Sequence, residues 1–224
     1  MAMVERLIEK TLPTVQSEPN AQTKGERTRI RILDVAYDAI VHKGFAATSI
    51  EELVEAAGIT KSGFFYHFKD KNDLARQLLE RFLAEDNAIL DALEARARAL
   101  CDDPLQGFLI FLNLYAEMMD EMPDLHPGCM VAAITYQEQM FDAEVRRMNV
   151  DGVLALRKRF ADWLGEIVDH QANASLVDVN ALADHLTVIV EGAIILSKAL
   201  DDRRLMGRHM RLFREQVKQA FAAG

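Results

Sequence analysis

Residues 48–71 read TSIEELVEAAGITKSGFFYHFKDK, and this stretch decides the fold. Thr48 precedes an apolar run with helical spacing, and Glu51 three residues later completes a T-x-x-E capping box. The pattern predicts a helix that begins after Thr48 and ends near Ala57. Gly58 then supplies the positive φ that a sharp turn after a helix requires.

Two more helix starts follow within a few residues. Thr60 is the predicted N-cap of a short helix over residues 61–68, and Asp70 is the predicted N-cap of a long helix that begins at Lys71. Only Gly58 and Ile59 separate the first two helices. This spacing predicts a helix-turn-helix.

The second short helix carries three phenylalanines beside polar side chains, and one buried face cannot hold all of them. Its N-terminal end offers hydrogen-bond donors, and Gly63 permits a close approach of another surface. The major groove of DNA accepts a helix of this size, read from its N-terminal end. A short aromatic packing helix is the alternative. The predicted DNA-binding residues are Thr48, Thr60, Lys61, Ser62, Gly63, Phe65, Tyr66, His67 and Lys71, with phosphates held by Thr48 and Lys71.

Residues 47–82, ATSIEELVEAAGITKSGFFYHFKDKNDLARQLLERF, together with an upstream helix that ends in KGF, resemble the TetR family of bacterial transcriptional regulators. The resemblance covers about residues 24–84, and the remainder agrees only in layout. It implies an all-α homodimer with a three-helix DNA-binding domain and a ligand-responsive C-terminal domain, more often a repressor than an activator. Many members carry Tyr where this chain has Phe65, so we expect an apolar contact there and a hydroxyl contact from Tyr66.

The composition excludes several classes of protein. The 224 residues include only two cysteines, Cys101 and Cys129, which do not make a disulfide framework. The longest apolar run, residues 186–196, is broken by Glu191, so a membrane span is not expected. The N-terminus lacks the apolar core of a secretory signal. These observations favour a cytoplasmic protein.

The net charge of −9 is unevenly distributed. Residues 24–71 contain eight basic and seven acidic residues, a balance of +1, whereas residues 76–224 contain 16 basic and 24 acidic residues, a balance of −8. DNA affinity depends on local cations that displace condensed counterions, so the global charge does not oppose DNA binding. A unit with so little positive charge is nevertheless expected to bind weakly alone.

The predicted layout has three parts: a flexible N-terminal arm over 1–23, a helix-turn-helix domain over 24–70, and an effector-binding and dimerisation domain over 71–224. The fold class is all-α, with about nine helices and no strand pattern. The predicted helices cover residues 26–43, 49–57, 61–68, 71–99, 104–119, 129–139, 142–171, 177–200 and 203–223.

Helices five to seven are rich in aromatic residues and methionine, interspersed with a few polar groups. Such a composition suits either an ordinary core or a small-molecule pocket, and the residues alone leave both open. The resemblance favours an apolar or amphipathic effector. The predicted effector-binding residues are Phe108, Phe111, Tyr115, Met118, Met130, Ile134, Gln137 and Trp163.

The last two helices are predicted to form the dimer surface. The eighth is apolar on nearly all sides, which indicates burial against both its own core and a partner. A two-fold dimer would place two recognition helices about one DNA turn apart on a near-palindromic operator. The predicted interface residues are Leu182, Leu186, Ile189, Ala193, Leu196, Phe213 and Val217.

No pattern in the sequence predicts catalysis, a metal site or a cofactor, since nucleotide-binding, hydrolase and metalloprotease motifs do not occur. Cys129 follows Pro127-Gly128 at a predicted helix start, so a redox sensor and a small buried residue both remain open. The alternative to a DNA-binding regulator is a small-molecule-binding or interaction protein that does not use its helix-turn-helix for operator binding.

Overall fold

The computed structural model describes residues 23–171 and 177–222, and within these ranges the protein has nine α helices, one 3-10 turn and no strand. The predicted all-α fold class is therefore confirmed. The predicted N-terminal arm lies, except for Thr23, outside the described residues. The helices are α1 (Lys24–Lys43), α2 (Ile50–Ala56), α3 (Lys61–His67), α4 (Lys71–Leu100), α5 (Pro104–Asp120), α6 (Met130–Tyr136), α7 (Ala143–His170), α8 (Val179–Leu200) and α9 (Leu205–Ala222), with the 3-10 turn at Glu138–Met140.

A capping box does occur, but at the start of α1. The Thr23 hydroxyl accepts from the backbone N–H of Glu26, whose carboxylate accepts from the backbone N–H of Thr23 at 2.7 Å. Both bonds satisfy donors that the first helical turn leaves open. The helix ends at Gly44, whose φ of 86° turns the chain sharply.

The capping box predicted at Thr48 and Glu51 is wrong. Ser49 is the N-cap of α2, and its hydroxyl accepts from the backbone N–H of Glu52 at 3.2 Å. The Thr48 side chain is 1% exposed and donates to the carbonyl oxygen of Gly44 at 2.9 Å. The one-residue shift arises because the Thr48 hydroxyl is already bonded to Gly44 in the turn that closes α1, which leaves Ser49 as the cap.

The other helix boundaries follow local signals. Asp103 caps α5 by accepting from the backbone N–H of Gln106 at 2.8 Å, and Pro104 occupies the first turn, as predicted. Asp178 caps α8 by accepting from Ala181 at 3.0 Å. Helix α6 is shorter than predicted, because the backbone of Gln137 leaves helical geometry at φ −125° and ψ 30°.

The described chain divides into two compact units. The first comprises residues 23–86 and 127–152, and the second comprises 87–126 and 153–222 without 172–176. Helices α4 and α7 contribute residues to both units. This division differs from the predicted boundary at residue 70, because part of α4 and residues 127–152 pack with the helix-turn-helix. The functional assignment of 24–70 and 71–224 remains a prediction.

The core of the first unit joins the helix-turn-helix to later segments. Buried side chains of α1, α2 and α3 contact the first turns of α4, and α6 and the start of α7 complete the cluster. Its members include Ile32, Leu33, Leu53, Phe64, Phe68, Leu74, Leu78, Met130, Ile134, Phe141 and Val145. In the second unit α9 packs against α5 and α8.

Helix α8 is the one described helix whose length and apolar composition would suffice to cross a membrane. It also packs against α9, and its Asp184 forms an ion pair with Arg157 at 2.6 Å. Its apolar composition therefore has an explanation in helix packing.

Candidate DNA-binding, effector and dimer sites

Helix α3 separates its aromatic residues by register. Phe64 and Phe68 are 0% and 1% exposed and pack into the core, with ring centroids 5.5 Å apart. Phe65 and Tyr66 are 47% and 83% exposed. A large exposed aromatic pair on a short helix presents an apolar outer surface that the protein's own packing does not use.

The N-terminal end of α3 carries polar groups that already have partners within the protein. The Thr60 hydroxyl accepts from the backbone N–H of Gly63 at 3.1 Å, as predicted for its N-cap, and shares a hydrogen bond with Ser62 at 3.0 Å. Lys61 donates to Glu51 at 2.6 Å, and this bond lowers the pKa of the Glu51 carboxyl. Phosphate contacts by Lys61 would compete with that exposed ion pair.

Gly63 has room for a side chain within the protein. A Cβ atom there would lie 3.4 Å from the Thr60 hydroxyl oxygen and 3.7 Å from the Ile59 Cβ, which are ordinary contacts. Packing inside the chain therefore does not require glycine at this position.

His67 lies partly buried at the end of α3, edge-on to Tyr66 with centroids 5.0 Å apart. Burial and the nearby positive charge of Arg29 lower the pKa of His67. Both effects favour the neutral imidazole, and the fixed positive charge beside it belongs to Arg29.

A hydrogen-bonded chain that the sequence did not reveal fixes Arg29. Its guanidinium donates to Gln77 Oε1 at 2.6 and 3.0 Å, and the Gln77 amide donates to Asp73 at 3.0 and 3.1 Å. Asp73 also accepts from the backbone N–H of Lys69 at 2.9 Å. The cluster of cations at the start of α1 was visible in the sequence, but the partner on α4 is 48 residues away.

Thr48 does not fit its predicted phosphate role. Its hydroxyl is buried and donates to Gly44, so it presents no donor to a ligand. The predicted residue therefore serves the α1–α2 turn instead.

Lys71 has a partner other than the predicted phosphate. Its ammonium donates to the carbonyl oxygen of Phe45 and lies 4.0 Å from the centroid of the Phe45 ring. Burial and the charge of Lys43 lower the pKa of Lys71. The lysine is thus held in the first unit, where it stabilises the turn after α1.

Residues 32–78 match the model of bacterial regulatory proteins of the tetR family. The predicted resemblance of this segment to the TetR family is thereby confirmed. The chain is 39% identical over 82 residues to the regulator AcrR of Shigella flexneri, covering 37% of each chain. It is 26% identical over 155 residues to the regulator TtgR of Pseudomonas putida, covering 68% of this chain and 61% of that one. The matches thus span less than two thirds of these relatives.

Solved TetR-family structures share the fold over nearly the whole chain. A TetR-family regulator from Agrobacterium tumefaciens superposes with a TM-score of 0.70 and 19% identity, over 86% of this chain and 98% of that one. At this identity the likeness concerns the fold alone.

Five of the predicted effector residues lie in the second unit and are largely buried. Phe108, Phe111 and Trp163 contact one another with centroids 5.2 to 5.9 Å apart, and Tyr115 lies 6.0 Å from Phe111. Met118 is 8% exposed. The Trp163 indole donates to the carbonyl oxygen of Pro104 at 3.2 Å.

One face of this aromatic cluster is bordered by charge. The Arg98 guanidinium lies 4.2 Å from the Trp163 ring centroid, in cation–π geometry. Glu94 and Glu166 each accept from Arg98 at 2.9 Å. These ion pairs fix the orientation of Arg98 over the ring.

The other three predicted effector residues belong to the first unit, so the predicted set does not form one site. Met130 and Ile134 are 2% and 1% exposed in the core beneath the helix-turn-helix. Gln137 accepts from the backbone N–H of Ala46 at 3.0 Å. They were grouped with the aromatic residues by position along the chain, whereas α6 packs against α1.

The predicted dimer residues divide into two groups. Four of them are at most 3% exposed within the single chain, namely Leu186, Ala193, Phe213 and Val217, so they form its core and not its surface. Leu182 and Ile189 are partly buried, and Leu196 is 43% exposed. Neither predicted face of α8 coincides with its exposed face, because Ile194, assigned to the opposite face, is also only 5% exposed. Periodicity does not say which face meets the chain's own α9.

The exposed face of α8 is apolar and follows a helical register. Val188 and Ile195 are 64% and 52% exposed, and a Cβ atom on Gly192 between them would meet no atom within 4 Å. Leu200 and, on α9, Leu212 are 66% and 54% exposed. Val188, Gly192 and Ile195 share one side of α8, and together with the exposed Leu200 and Leu212 of the same two helices they are here called the outer α8–α9 face. The spacing of 188, 192 and 195 was readable from the sequence.

Proposed function

We propose that this chain is a DNA-binding transcriptional regulator that binds a near-palindromic operator as a homodimer. The observation that carries the proposal is the register of α3, which anchors itself through Phe64 and Phe68 while Phe65 and Tyr66 face outward. A short capped helix with an exposed outer surface is suited to insertion into the major groove of DNA. Both relatives named above are transcriptional regulators.

We propose that the outer α8–α9 face forms the homodimer interface. It presents large apolar side chains at successive turns, and exposed Val188 and Ile195 flank the small Gly192. Apolar surface of this kind gains free energy when a second copy covers it. Pairing through this face would bring two DNA-binding units to one operator, which compensates for the low positive charge of each unit.

We propose that a small apolar or amphipathic effector binds at the aromatic cluster of Phe108, Phe111, Tyr115 and Trp163 and releases the operator. Aromatic rings and Met118 supply a polarisable lining, and Arg98 supplies a charged group at one face. A ligand that favours a conformation with another spacing of the two α3 helices would act as an inducer of a repressor. The cytoplasm is the compartment where this function operates.

The DNA proposal is tested by selection from random double-stranded DNA and by gel shift on the DNA upstream of its own gene, in about 0.1 M salt because affinity depends on salt. Tyr66→Ala should weaken binding about tenfold or more. Tyr136→Ala is the matched control, because Tyr136 is 78% exposed but lies outside α3. A protein that selects no sequence, or two variants with equal affinity, would contradict the proposal and favour a small-molecule-binding protein.

The effector proposal can be tested through Trp163, the one tryptophan of the chain. Hydrophobic compounds that bind at the cluster should shift its emission and release the selected DNA at the same concentrations. A compound that releases DNA while leaving Trp163 emission unchanged would place the effector elsewhere.

A further inference from the structure

The turn that connects α1 to α2, residues 44–48, is held by side chains from far along the sequence. Phe45 is 2% exposed, and its ring contacts that of Phe141 with centroids 4.3 Å apart. Two internal bonds close the same turn, from the Thr48 hydroxyl to Gly44 and from the Lys71 ammonium to Phe45. The turn therefore has a buried anchor in Phe45 and an outer part, Ala46 and Ala47, that is exposed.

Gln137 secures that outer part. Its Oε1 accepts from the backbone N–H of Ala46 at 3.0 Å, across 91 residues of sequence. Its Nε2 lies where a side chain at Gly44 would begin, only 2.3 Å from the position of a Cβ atom. Since Gly44 also has a φ of 86°, the turn accepts the Gln137 amide only because residue 44 is glycine.

Two more contacts fix the segment that carries Gln137 to the same unit. The Tyr37 hydroxyl donates to the carbonyl oxygen of Gly128 at 3.0 Å, and Asn72 accepts from the backbone N–H of Asp142 at 3.3 Å. Residues on both sides of Gln137 are thus tied to α1 and to the start of α4. A displacement of α6 and the 3-10 turn would reach Ala46 through the Gln137 amide.

We propose that Gln137 is a positioning residue for DNA recognition, which holds the α1–α2 turn so that α2 and α3 keep the orientation needed in the major groove. The inference rests on the proposed function. Gln137 is partly exposed and Ala46 is exposed, so water can replace this hydrogen bond in the unfolded or loosened state. The bond therefore contributes little to folding stability, and its effect lies in the order of the turn.

Gln137 is proposed to order the α1–α2 turn, whereas Phe141 stabilises the core of the first unit. Phe141 is 3% exposed and packs in the core, so its loss would unfold the unit and reveal nothing about positioning. Gln137→Met keeps the length and the apolar stem of the side chain but cannot accept from Ala46. Glu138→Gln is the matched control, because Glu138 is the exposed neighbour of Gln137.

The experiment measures hydrogen exchange at the Ala46 amide, chemical denaturation, and affinity for the DNA that the wild-type full-length chain selects. Gln137→Met should speed Ala46 exchange about tenfold, the loss expected for one hydrogen bond. It should weaken DNA binding severalfold and lower the denaturation midpoint only slightly, since the turn can open without unfolding the unit. Gln137→Glu retains an acceptor and should restore slow exchange at Ala46, and Glu138→Gln should match the wild type in all three measurements.

Unchanged Ala46 exchange in Gln137→Met would overturn the proposed hold on the turn. Faster exchange with unchanged DNA affinity would overturn its role in recognition. A wild-type chain that binds no DNA would overturn the proposed function itself, and exchange at Ala46 would still decide whether Gln137 orders the turn.

Discussion

The ammonium group of Lys71 lies 4.0 Å from the centroid of the Phe45 ring and donates a hydrogen bond to the carbonyl oxygen of the same residue. Lys71 opens α4 and Phe45 follows α1, so one side chain joins the ends of two helices. The contact keeps a partly buried cation in place by a ring face and a carbonyl dipole. It explains why a lysine at this position stabilises the helix-turn-helix unit.

Replacing Lys71 should affect folding more than DNA binding. Lys71→Met removes the hydrogen bond and the cation–π contact but keeps the apolar stem, and we expect a loss of about 1–2 kcal/mol in the free energy of unfolding. Urea denaturation measures it. The exposed Lys69, replaced by Met, is the control and should leave stability unchanged. A lower salt slope of DNA binding in Lys71→Met alone would restore the phosphate role.

Glu51 is expected to restrain DNA binding through Lys61. The pair is exposed, with 67% and 60% of the two side chains accessible, so it contributes little to stability. Glu51→Gln frees the lysine and removes a negative charge, and we expect about three- to tenfold tighter DNA binding with a salt slope steeper by roughly one. Glu55→Gln removes the same charge elsewhere on α2. Equal affinity in the two variants would show that the pairing with Lys61 is irrelevant.

The dimer proposal predicts separate effects on association and on folding. Ile195→Arg places a charge on the outer α8–α9 face, so light scattering should detect monomers at micromolar concentration with the folded structure retained. Leu154→Arg is the control, because Leu154 is 48% exposed on α7. Monomers from Leu154→Arg, or dimers from Ile195→Arg, would show that another surface pairs.

Phe213 should behave differently from Ile195, since it is 0% exposed within one chain. Phe213→Ala leaves a cavity in the packing of α9, and we expect a loss of about 3–5 kcal/mol in the free energy of unfolding. Thermal and chemical denaturation measure it. If Phe213→Ala were as stable as the wild type but dimerised more weakly, Phe213 would belong to the dimer interface and not to the core.

Gly207 permits the close approach of α9 to α5. A Cβ atom there would lie 2.2 Å from the Asp120 carboxylate and 2.9 Å from the Ala116 carbonyl oxygen, and the backbone oxygen cannot move away by itself. Gly207→Ala should therefore cost about 2–4 kcal/mol of stability. Gly165→Ala, inside α7 with no atom within 4 Å of the new Cβ, should instead stabilise by about 0.5–1 kcal/mol. If denaturation experiments showed that both variants are stabilised, or that both are destabilised, this account would be contradicted.

His126 should make stability depend on pH. Burial, with a smaller effect of the Lys198 charge, lowers the pKa of His126 from 6.5 to about 4. Between these values the unfolded chain binds more protons than the folded chain, so the free energy of unfolding falls as pH falls from about 6.5 to 4. The contribution of His126 to this fall is at most about 3.5 kcal/mol, at about 1.4 kcal/mol per pKa unit.

His126→Gln should remove that contribution. The difference between the unfolding free energies of wild type and variant should be constant above pH 7 and change between pH 6.5 and 4. Replacing the exposed His42 with Gln provides the control. A difference that stays constant over the whole range would show that His126 titrates alike in both states.

The capping residues show how far local sequence rules reach. The roles of Thr60 and Asp70 were predictable, because each hydroxyl or carboxylate binds a backbone N–H three residues ahead. The same rule predicted Thr48 as a cap, but the adjacent Ser49 caps α2 instead, while the Thr48 hydroxyl donates to Gly44. When two adjacent residues both satisfy the capping rule, a competing hydrogen bond, here from Thr48 to Gly44, decides between them.

The sequence by itself determined the all-α fold, the helix-turn-helix and the outward position of Tyr66, because helix caps, turns and hydrophobic periodicity act over a few residues. Only the tertiary structure decided which segments share a core and which apolar face of α8 stays exposed. It brought Gln137 to Ala46 and Lys71 to Phe45, across 91 and 26 residues. Periodicity identifies an apolar face but carries no information about what covers it, and long-range hydrogen bonds depend on how the helices pack.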